Sequence, residues 1–300
     1  MSAHRQGVVA GSAAYLLWGV FPLYFPLLHP ADPFEVLAHR VVWSLLVMII
    51  LVRVTRRWSG VRAVLADHAR LWRLSAAASF LAVNWAVYIY GVTSGHVVEA
   101  ALGYFINPLI TVLLGVLVLH ERLRPVQWAA LGVAGVAVLV LSVQNGRPPW
   151  IALTLAVSFG IYGLLKKTAQ VGAVEGLAVE TGVLAPLAAA YLLWLELSGG
   201  STFTGHGVGH AALLMSTGIA TAIPLLMFGA AAARIPLSTL GVLQYLAPTL
   251  QFAIGVLVLG EALGLIKLLG FCLVWVALCA FTADLVAGSR RSALPVSEPV

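Results

Sequence analysis

Hydrophobic residues run along this chain in long stretches, broken by short polar connections where Gly, Pro, Asp and Arg collect. About ten stretches of about 17–24 residues can be marked, near 7–27, 34–54, 71–93, 97–119, 126–143, 149–165, 175–196, 210–231, 237–259 and 263–286. At 1.5 Å per residue, each is long enough to cross a hydrocarbon core of ~30 Å as a helix. The connections leave no room for a soluble domain of useful size. The pattern therefore predicts an all-α polytopic membrane protein of ten transmembrane helices. Composition agrees: 61% of residues are hydrophobic, 9% are charged, and the mean hydropathy is +1.00. Soluble domains are roughly 45–50% apolar and ~25% charged. The first span follows His4 and Arg5, as a signal peptide would. It meets no small-residue cleavage site before His29-Pro30-Ala31-Asp32-Pro33, so a retained helix is expected.

A net charge of +6 suggests a nucleic-acid partner only until the charges are placed. Arg53, Arg56, Arg57, Arg62, Arg70 and Arg73 crowd the connection after the second span. Arg122, Arg124, Lys166, Lys167, Arg234, Arg290 and Arg291 follow the fourth, sixth, eighth and tenth. With Arg5 these are fourteen of the seventeen Lys and Arg, all falling on one side of a ten-span topology. The positive-inside rule assigns that side to the cytoplasm, with both termini there. The basic residues thus read as topological, and no nucleic acid is implied. Cys272 and Cys279 stand seven apart on one span, about 10 Å along a helix axis, beyond disulfide reach, and read as packing thiols.

The chain also repeats itself. Gly115–Glu121 reads GVLVLHE, and 140 positions later Gly255–Glu261 reads GVLVLGE. At the same spacing EVLAHR (Glu35–Arg40) falls on EGLAVE (Glu175–Glu180), and Asn107-Pro108 falls on Ala247-Pro248. One residue off that spacing, Trp18-Gly19 matches Phe159-Gly160. Spans 1–5 therefore read as a unit (residues 1–145) copied as spans 6–10 (146–287), followed by a short polar cytoplasmic tail (288–300). A unit with an odd number of spans enters the membrane from the other side when copied. Two inverted repeats of this kind hold the substrate site of many secondary transporters near the midplane.

The register points to a site. Pro108 and Pro248 stand at the middle of the fourth and ninth spans. Each proline lacks an amide hydrogen and clashes with the carbonyl four residues back, so the carbonyls of Tyr104 and Gln244 are expected to lose their helix partners. Tyr104, Asn107, Gln244 and Tyr245 cluster around these breaks as polar groups at bilayer depth. Pro22, Pro26 and Pro224 read as packing kinks. Ionisable groups inside spans are a second pointer. His39, Arg40 and Glu99 lie at similar depth, which makes Arg40–Glu99 a candidate ion pair with the titratable His39 beside it. Glu180 matches Arg40 in the second half, near the inner side. Glu35 reads as snorkelling to the headgroups, His96 and His120 as solvated, and Glu121 and Glu261 as caps or anchors beside bases such as Arg122. Gly132 and Gly135 in the fifth span, and Gly270, Ala277 and Ala280 in the tenth, allow close helix approach within a monomer or at a homodimer face.

Five strings in order, HRVVWS (His39–Ser44), NWAVYIYGV (Asn84–Val92), EAALGYFINPL (Glu99–Leu109), LSTLGVLQYLAPTL (Leu237–Leu250) and the GVLVLHE/GVLVLGE pair, make the chain resemble the RarD branch of the EamA drug/metabolite transporters from about residue 5 to 286. The resemblance implies a ten-helix inner-membrane protein with two inverted EamA repeats around a central cavity. It carries over His39, Arg40, Trp43, Asn84, Trp85, Glu99, Tyr104, Asn107, Pro108, Gln244, Tyr245 and Pro248 as motif positions. By depth and chemistry Tyr104, Asn107, Gln244, Tyr245, Asn84 and Trp85 are the expected substrate contacts. His39, Arg40, Glu99 and Glu180 are the expected coupling or gating groups.

The reading is a secondary transporter of a small polar or amphipathic metabolite, working by alternating access in the lipid bilayer. It leans toward export, with proton coupling open and no cofactor or metal called for. The competing class, a membrane-embedded enzyme acting on a lipid or amphipathic substrate, lacks any G-x-S-x-G, H-E-x-x-H, phosphate loop or clustered metal ligands. A purely structural or receptor role leaves the paired prolines unexplained. The orientation is tested by single cysteines in a background without Cys272 and Cys279. Those replacing Gly60, Thr168 and Arg234 should label from the cytoplasm, and those replacing Ala31, Gly95 and Gly205 from outside. Outside labelling at position 60 contradicts both orientation and inversion.

Overall fold

The structure is a computed structural model and describes residues 2–93, 97–143, 150–258 and Val276. Among the described residues it is helical, without a strand, and every expected span that falls there is helical, though the first and ninth are each divided. The tenth span, with Cys272, Cys279, Gly270, Ala277 and Ala280, lies outside the described residues apart from the helical Val276, as do Glu261 and the C-terminal tail. Five described helical stretches are long and apolar enough to cross a membrane: Ala3–Leu28, Pro33–Val54, Trp150–Ala169, Ala173–Leu197 and Gly207–Ala232. A shorter apolar helix covers Ile106–Leu119.

The first span is not one helix. It breaks into α1 (Ala3–Gly19), α2 (Phe21–Tyr24) and a 3-10 turn (Phe25–Leu28), because Pro22 and Pro26 each open a new short helix. The second span, α3 (Pro33–Val54), starts where the Asp32 carboxylate accepts the Phe34 and Glu35 amides at 2.7 and 3.2 Å, with Pro33 at the first helical position. An unexpected helix, α4 (Trp58–Ala66), forms in the Arg-rich connection. It turns Val61 and Val64 inward and leaves Arg62 out. Asp67 then caps α5 (His68–Thr93) through the Ala69 and Arg70 amides, both at 3.0 Å.

The remaining elements are α6 (Val97–Leu119), α7 (Pro125–Val143), α8 (Trp150–Ala169), α9 (Ala173–Leu197), the single turn α10 (Thr202–Gly205), α11 (Gly207–Ala232), α12 (Leu237–Leu243) and α13 (Leu246–Leu257). Here the two mid-span prolines part company. The ninth span breaks at Gln244-Tyr245 into α12 and α13, whereas α6 runs unbroken with Pro108 inside it. Nor does the Gln244 carbonyl go unpaired, since it accepts the Ala247 amide at 3.3 Å in a tightened turn.

Helix α8 packs on α5 and α6, α3 on α9 and α11, α1 on α11 and α13, and α12 on α6. Small residues set these approaches. A Cβ on Gly218 of α11 would stand 2.5 Å from the Trp43 carbonyl carbon of α3. On Gly160 it would stand 2.8 Å from Ile110, and on Gly19 2.8 Å from Leu250. Lipid supplies no hydrophobic drive between helices, so closeness of backbones is what holds such a bundle. Gly132 and Gly135 of α7, by contrast, have nothing within 4 Å of a would-be Cβ among the described residues.

The ends of the bundle differ in chemistry. One end, with the start of α1 and the ends of α3, α6 and α8, gathers Arg57, Arg73, Lys166, Lys167 and Arg234. Arg57 pairs with Glu175 at 3.0 Å, and Arg73 and Lys167 donate to the carbonyls of Thr168 and Ile235. This basic end is tightly tied. The other end is built from the turn Phe25–Leu28, the start of α3, and α10.

Candidate functional site

A cavity of about 380 Å³ lies in the half of the bundle away from the basic end, bounded by α1, α2, α3, α5, α6, α8, α11 and the α12–α13 break. Toward the basic end it stops on a nest of rings. Trp18 meets Phe159 at 6.0 Å and Phe228 at 5.9 Å, and Tyr162 stacks on Phe228 at 5.5 Å with an interplanar angle of 14°. Tyr162 and Phe228 are fully buried, so this nest is packed as a plug.

Arg40 projects into the cavity from α3. Its guanidinium carbon lies 4.5 Å from the Trp85 ring centre and 5.6 Å from that of Phe25, and its Nε donates to Thr221 Oγ1 at 2.9 Å. Rings hold a guanidinium by their negative faces, which steadies the cation without neutralising it. The expected Arg40–Glu99 pair has its acidic partner's side chain outside the described residues. Among the described residues no carboxylate lies within ion-pair distance of Arg40.

Of the other expected contacts, Asn84, Trp85, Tyr104, Asn107, Gln244 and Pro248 line the cavity. Two of them also hold helices together. The Asn84 amide donates to the Leu155 carbonyl at 2.8 Å and to Ser158 Oγ at 3.0 Å. The Asn107 amide, in the orientation that satisfies it, donates to the carbonyls of Leu155 and Ala156, each at 3.0 Å. Both asparagines thus bracket α8 from α5 and α6. Thr111 donates to Gln244 Oε1 at 3.2 Å, tying α6 to the break. Pro108 is buried on the α6 face where Gly241 approaches, a Cβ there standing 3.0 Å from the Pro108 carbonyl oxygen. Tyr245 is buried and off the cavity lining. Pro22 and Pro26, expected only to kink, line the cavity, while Pro224 is buried in α11.

The charged groups separate into distinct sets. His39 is buried away from the lining; its Nδ1 accepts the Trp43 indole N–H at 3.1 Å, and its Nε2 lies 4.0 Å from Glu35. Glu35 does not snorkel: it is fully buried, its carboxylate accepting the Thr202 amide at 2.7 Å and the Thr202 hydroxyl at 3.0 Å, which pins α10 to α3. A headgroup offers no fixed amide, and the α10 backbone supplies one. Glu180 is buried beneath the ring nest and pairs with Lys166 at 2.8 Å, with the Tyr162 hydroxyl donating to it at 3.4 Å.

Glu121 caps a helix, though not beside Arg122. Its two oxygens accept the Leu237 and Ser238 amides at 2.7 and 2.9 Å, closing the N-terminus of α12 from the other half of the chain. The motif explains itself here. A Cβ on Gly115 would stand 2.9 Å from the Glu121 carboxylate, so glycine makes its room. His120 takes the left-handed region at φ 57°, which glycine favours, and the second copy has Gly260 at that place.

Among the partners that escaped the sequence reading are Lys166, Thr221, Phe25, Thr202 and Thr111. The repeat carried a signal for two of them. Lys166 matches Phe25 one residue off the 140 spacing, and Glu180 matches Arg40 on it.

The sequence pattern of the EamA-like transporter family matches residues 5–143. The chain is 53% identical to Protein RarD of Streptomyces exfoliatus over 288 residues, spanning 96% of this chain and 91% of that protein. It is 42% identical to Protein RarD of Escherichia coli K12 over 290 residues, 96% and 97% of the two chains. A Vibrio cholerae protein named an uncharacterized transporter is 42% identical over 280 residues, 93% of each. A crystal structure at 21% identity superposes with a TM-score of 0.73, covering 97% of this chain and all of that one, and shares the fold. These relatives define a class, multi-pass membrane transporters of the drug/metabolite type. Within it, the chain belongs to the RarD branch of the EamA family.

The Lys166–Glu180 pair makes a direct prediction. Glu180→Gln should leave a buried ammonium unpaired and cost several-fold in yield of folded protein, since breaking one side of a buried pair costs ~3–5 kcal/mol. The double change Lys166→Met, Glu180→Leu should recover most of that yield by size-exclusion profile and melting temperature. Equal loss in both contradicts the pairing.

Proposed function

We propose that the chain is a secondary transporter in which two inverted five-helix repeats alternate access to the central cavity, moving a small polar or amphipathic metabolite, with export as the favoured direction. The observation that carries this reading is the way contacts recur in repeat register. Gly160 faces Ile110, and their register mates Gly19 and Leu250 face each other. Gly103 faces Ala152, and their mates Leu243 and Gly11 face each other, where a Cβ on Gly11 would stand 3.0 Å from the Leu243 side chain. The same exchange relates whole helices: α5 packs on α8 as α11 packs on α1, and α6 on α8 as α13 on α1. Such packing is what a two-fold relation between the halves requires, and it gives each half-membrane an equivalent path to the centre.

In this reading the structure is open toward the end with α10 and closed at the basic end, which is the cytoplasmic side. Three things close it: the ring nest, the Lys166–Glu180 pair, and Glu121 clamped on the start of α12. The last is the one suited to release, because it joins an element of the first repeat to one of the second by two charge-assisted hydrogen bonds. Opening the basic end means parting α6 from α12. By register the opposite closure would use Glu261 with Val97 and Val98, the positions that match Glu121, Leu237 and Ser238. Glu261 itself lies outside the described residues.

A cysteine replacing Gly163, which faces Phe228 and Leu237 inside the closed half, reports the opening. In proteoliposomes it should be protected in the parent, label several-fold faster in Glu121→Gln, and label more slowly in Glu261→Gln. Flux of an unaltered solute should fall in both variants. Labelling indifferent to both changes contradicts the alternation, and chemical conversion of the solute contradicts transport itself.

A further inference from the structure

We infer that the solute binds as an organic monoanion with a planar apolar body, its carboxylate supplying the counter-charge that Arg40 lacks. This deepens the transporter reading and rests on it. A guanidinium has five N–H donors. Arg40 spends one, Nε–H, on Thr221, and its flat face on Trp85 and Phe25. The N–H groups on its two terminal nitrogens have no acceptor among the described residues. An ionised group inside a membrane protein is costly unless paired, and the described lining of this cavity contains no Asp or Glu. The amides and phenols that share it among the described residues are Asn84, Asn107, Gln244, Gln251, Tyr15, Tyr88 and Tyr104.

The second repeat shows how the fold treats a charge at the same position when no ligand is meant to balance it. Glu180 stands in register with Arg40, and Lys166 with Phe25. In one half the two positions form a buried ion pair at 2.8 Å. In the other the first position keeps its charge, and the second is a phenyl ring 5.6 Å from it. The counter-ion has been replaced by a ring that stacks. A carboxylate matches the open edge of a guanidinium with two parallel hydrogen bonds, and the aromatic residues Trp85, Tyr88 and Trp18 line the same cavity, where a planar apolar body would lie. A cavity of about 380 Å³ is of the size that holds small ligands. A cationic headgroup would find only neutral acceptors among the described lining residues. The geometry therefore selects anion over cation and over zwitterion.

The test uses four probes of one shape on the full-length purified protein: 3-phenylpropionate, 3-phenyl-1-propanol, 3-phenylpropylamine and phenylalanine. Binding is read by calorimetry or melting shift at a pH well above the carboxyl range. The anion should bind at least about tenfold tighter than the alcohol, the worth of one hydrogen-bonded charge contact, and tighter than the amine or the zwitterion. Arg40→Gln should erase that preference while keeping the parent's size-exclusion profile. Arg40→Lys should keep part of it. Equal affinity for acid and alcohol, phenylalanine binding as tightly as the anion, or a preference that survives Arg40→Gln overturns the inference. So does a preference that appears only in Glu99→Gln, because Glu99 would then be the counter-ion. Flux separates the two readings. A neutral or cationic solute carried across liposomes leaves transport standing and removes the anion. An anion bound through Arg40 and never moved does the reverse.

Discussion

Charge placed inside hydrocarbon must be answered at once, and this requirement organises the molecule from end to end. The buried carboxylates Glu35 and Glu180, and the part-buried Glu121, are held by groups the fold brings from another helix. Glu35 takes an amide and a hydroxyl from Thr202, Glu180 takes the Lys166 ammonium, and Glu121 takes two amides from the start of α12. These contacts fasten α3 to α10, α8 to α9 and α6 to α12. They are strong because little water competes for the same donors, and they are specific because a broken one leaves a stranded charge. Arg40 is the exception, answered by two rings and a hydroxyl but by no described anion.

The second constraint is closeness. Glycines at 19, 160, 218 and 241 bring helices together until a single Cβ would collide with a neighbour. At Gly241 the neighbour is the Pro108 carbonyl oxygen, so the helix that keeps its proline internally packs against the short helix that ends at the other break. The asparagines serve the same end by another route. Asn84 and Asn107 occupy carbonyls of α8 that a polar ligand would otherwise meet, which makes α8 a fixed wall. Most of the cavity's polar lining therefore already has protein work, and Arg40 stands out as the group with donors to spare.

Much of this was legible in the residues, and the failures have physical causes. The apolar stretches located every described helix that spans the bundle, because length and hydropathy are local properties. The mid-span prolines pointed to Tyr104, Asn107 and Gln244, which line the cavity with Pro248, and the resemblance added Asn84 and Trp85, which line it too. Tyr245 does not, and only one of the two prolines lies in a span that breaks. A missing amide hydrogen kinks a helix, and whether the turn reforms depends on packing that a local sequence pattern does not carry. Pairing was the weakest inference. Depth alone put Glu35 near headgroups, but depth leaves the azimuth around each helix unknown; the Arg40–Glu99 pairing falls on a side chain outside the described residues. The azimuth brought Thr202 to Glu35 and Trp85 to Arg40. The repeat encoded Lys166 as the mate of Phe25, a signal that becomes readable only once Glu180 and Lys166 are seen to touch.

Among the described residues lining the cavity, Arg40 carries a charge with no described counter-ion, and the solute is proposed to supply it. A crystal structure with 3-(4-bromophenyl)propionate tests this directly, since anomalous scattering from bromine locates the ring and fixes the orientation of the carboxylate. The account predicts bromine inside the cavity among Trp18, Trp85 and Tyr104, with both carboxylate oxygens within hydrogen-bond distance of the Arg40 guanidinium. Bromine at the surface, or a ring in the cavity with its carboxylate turned away from Arg40, contradicts it.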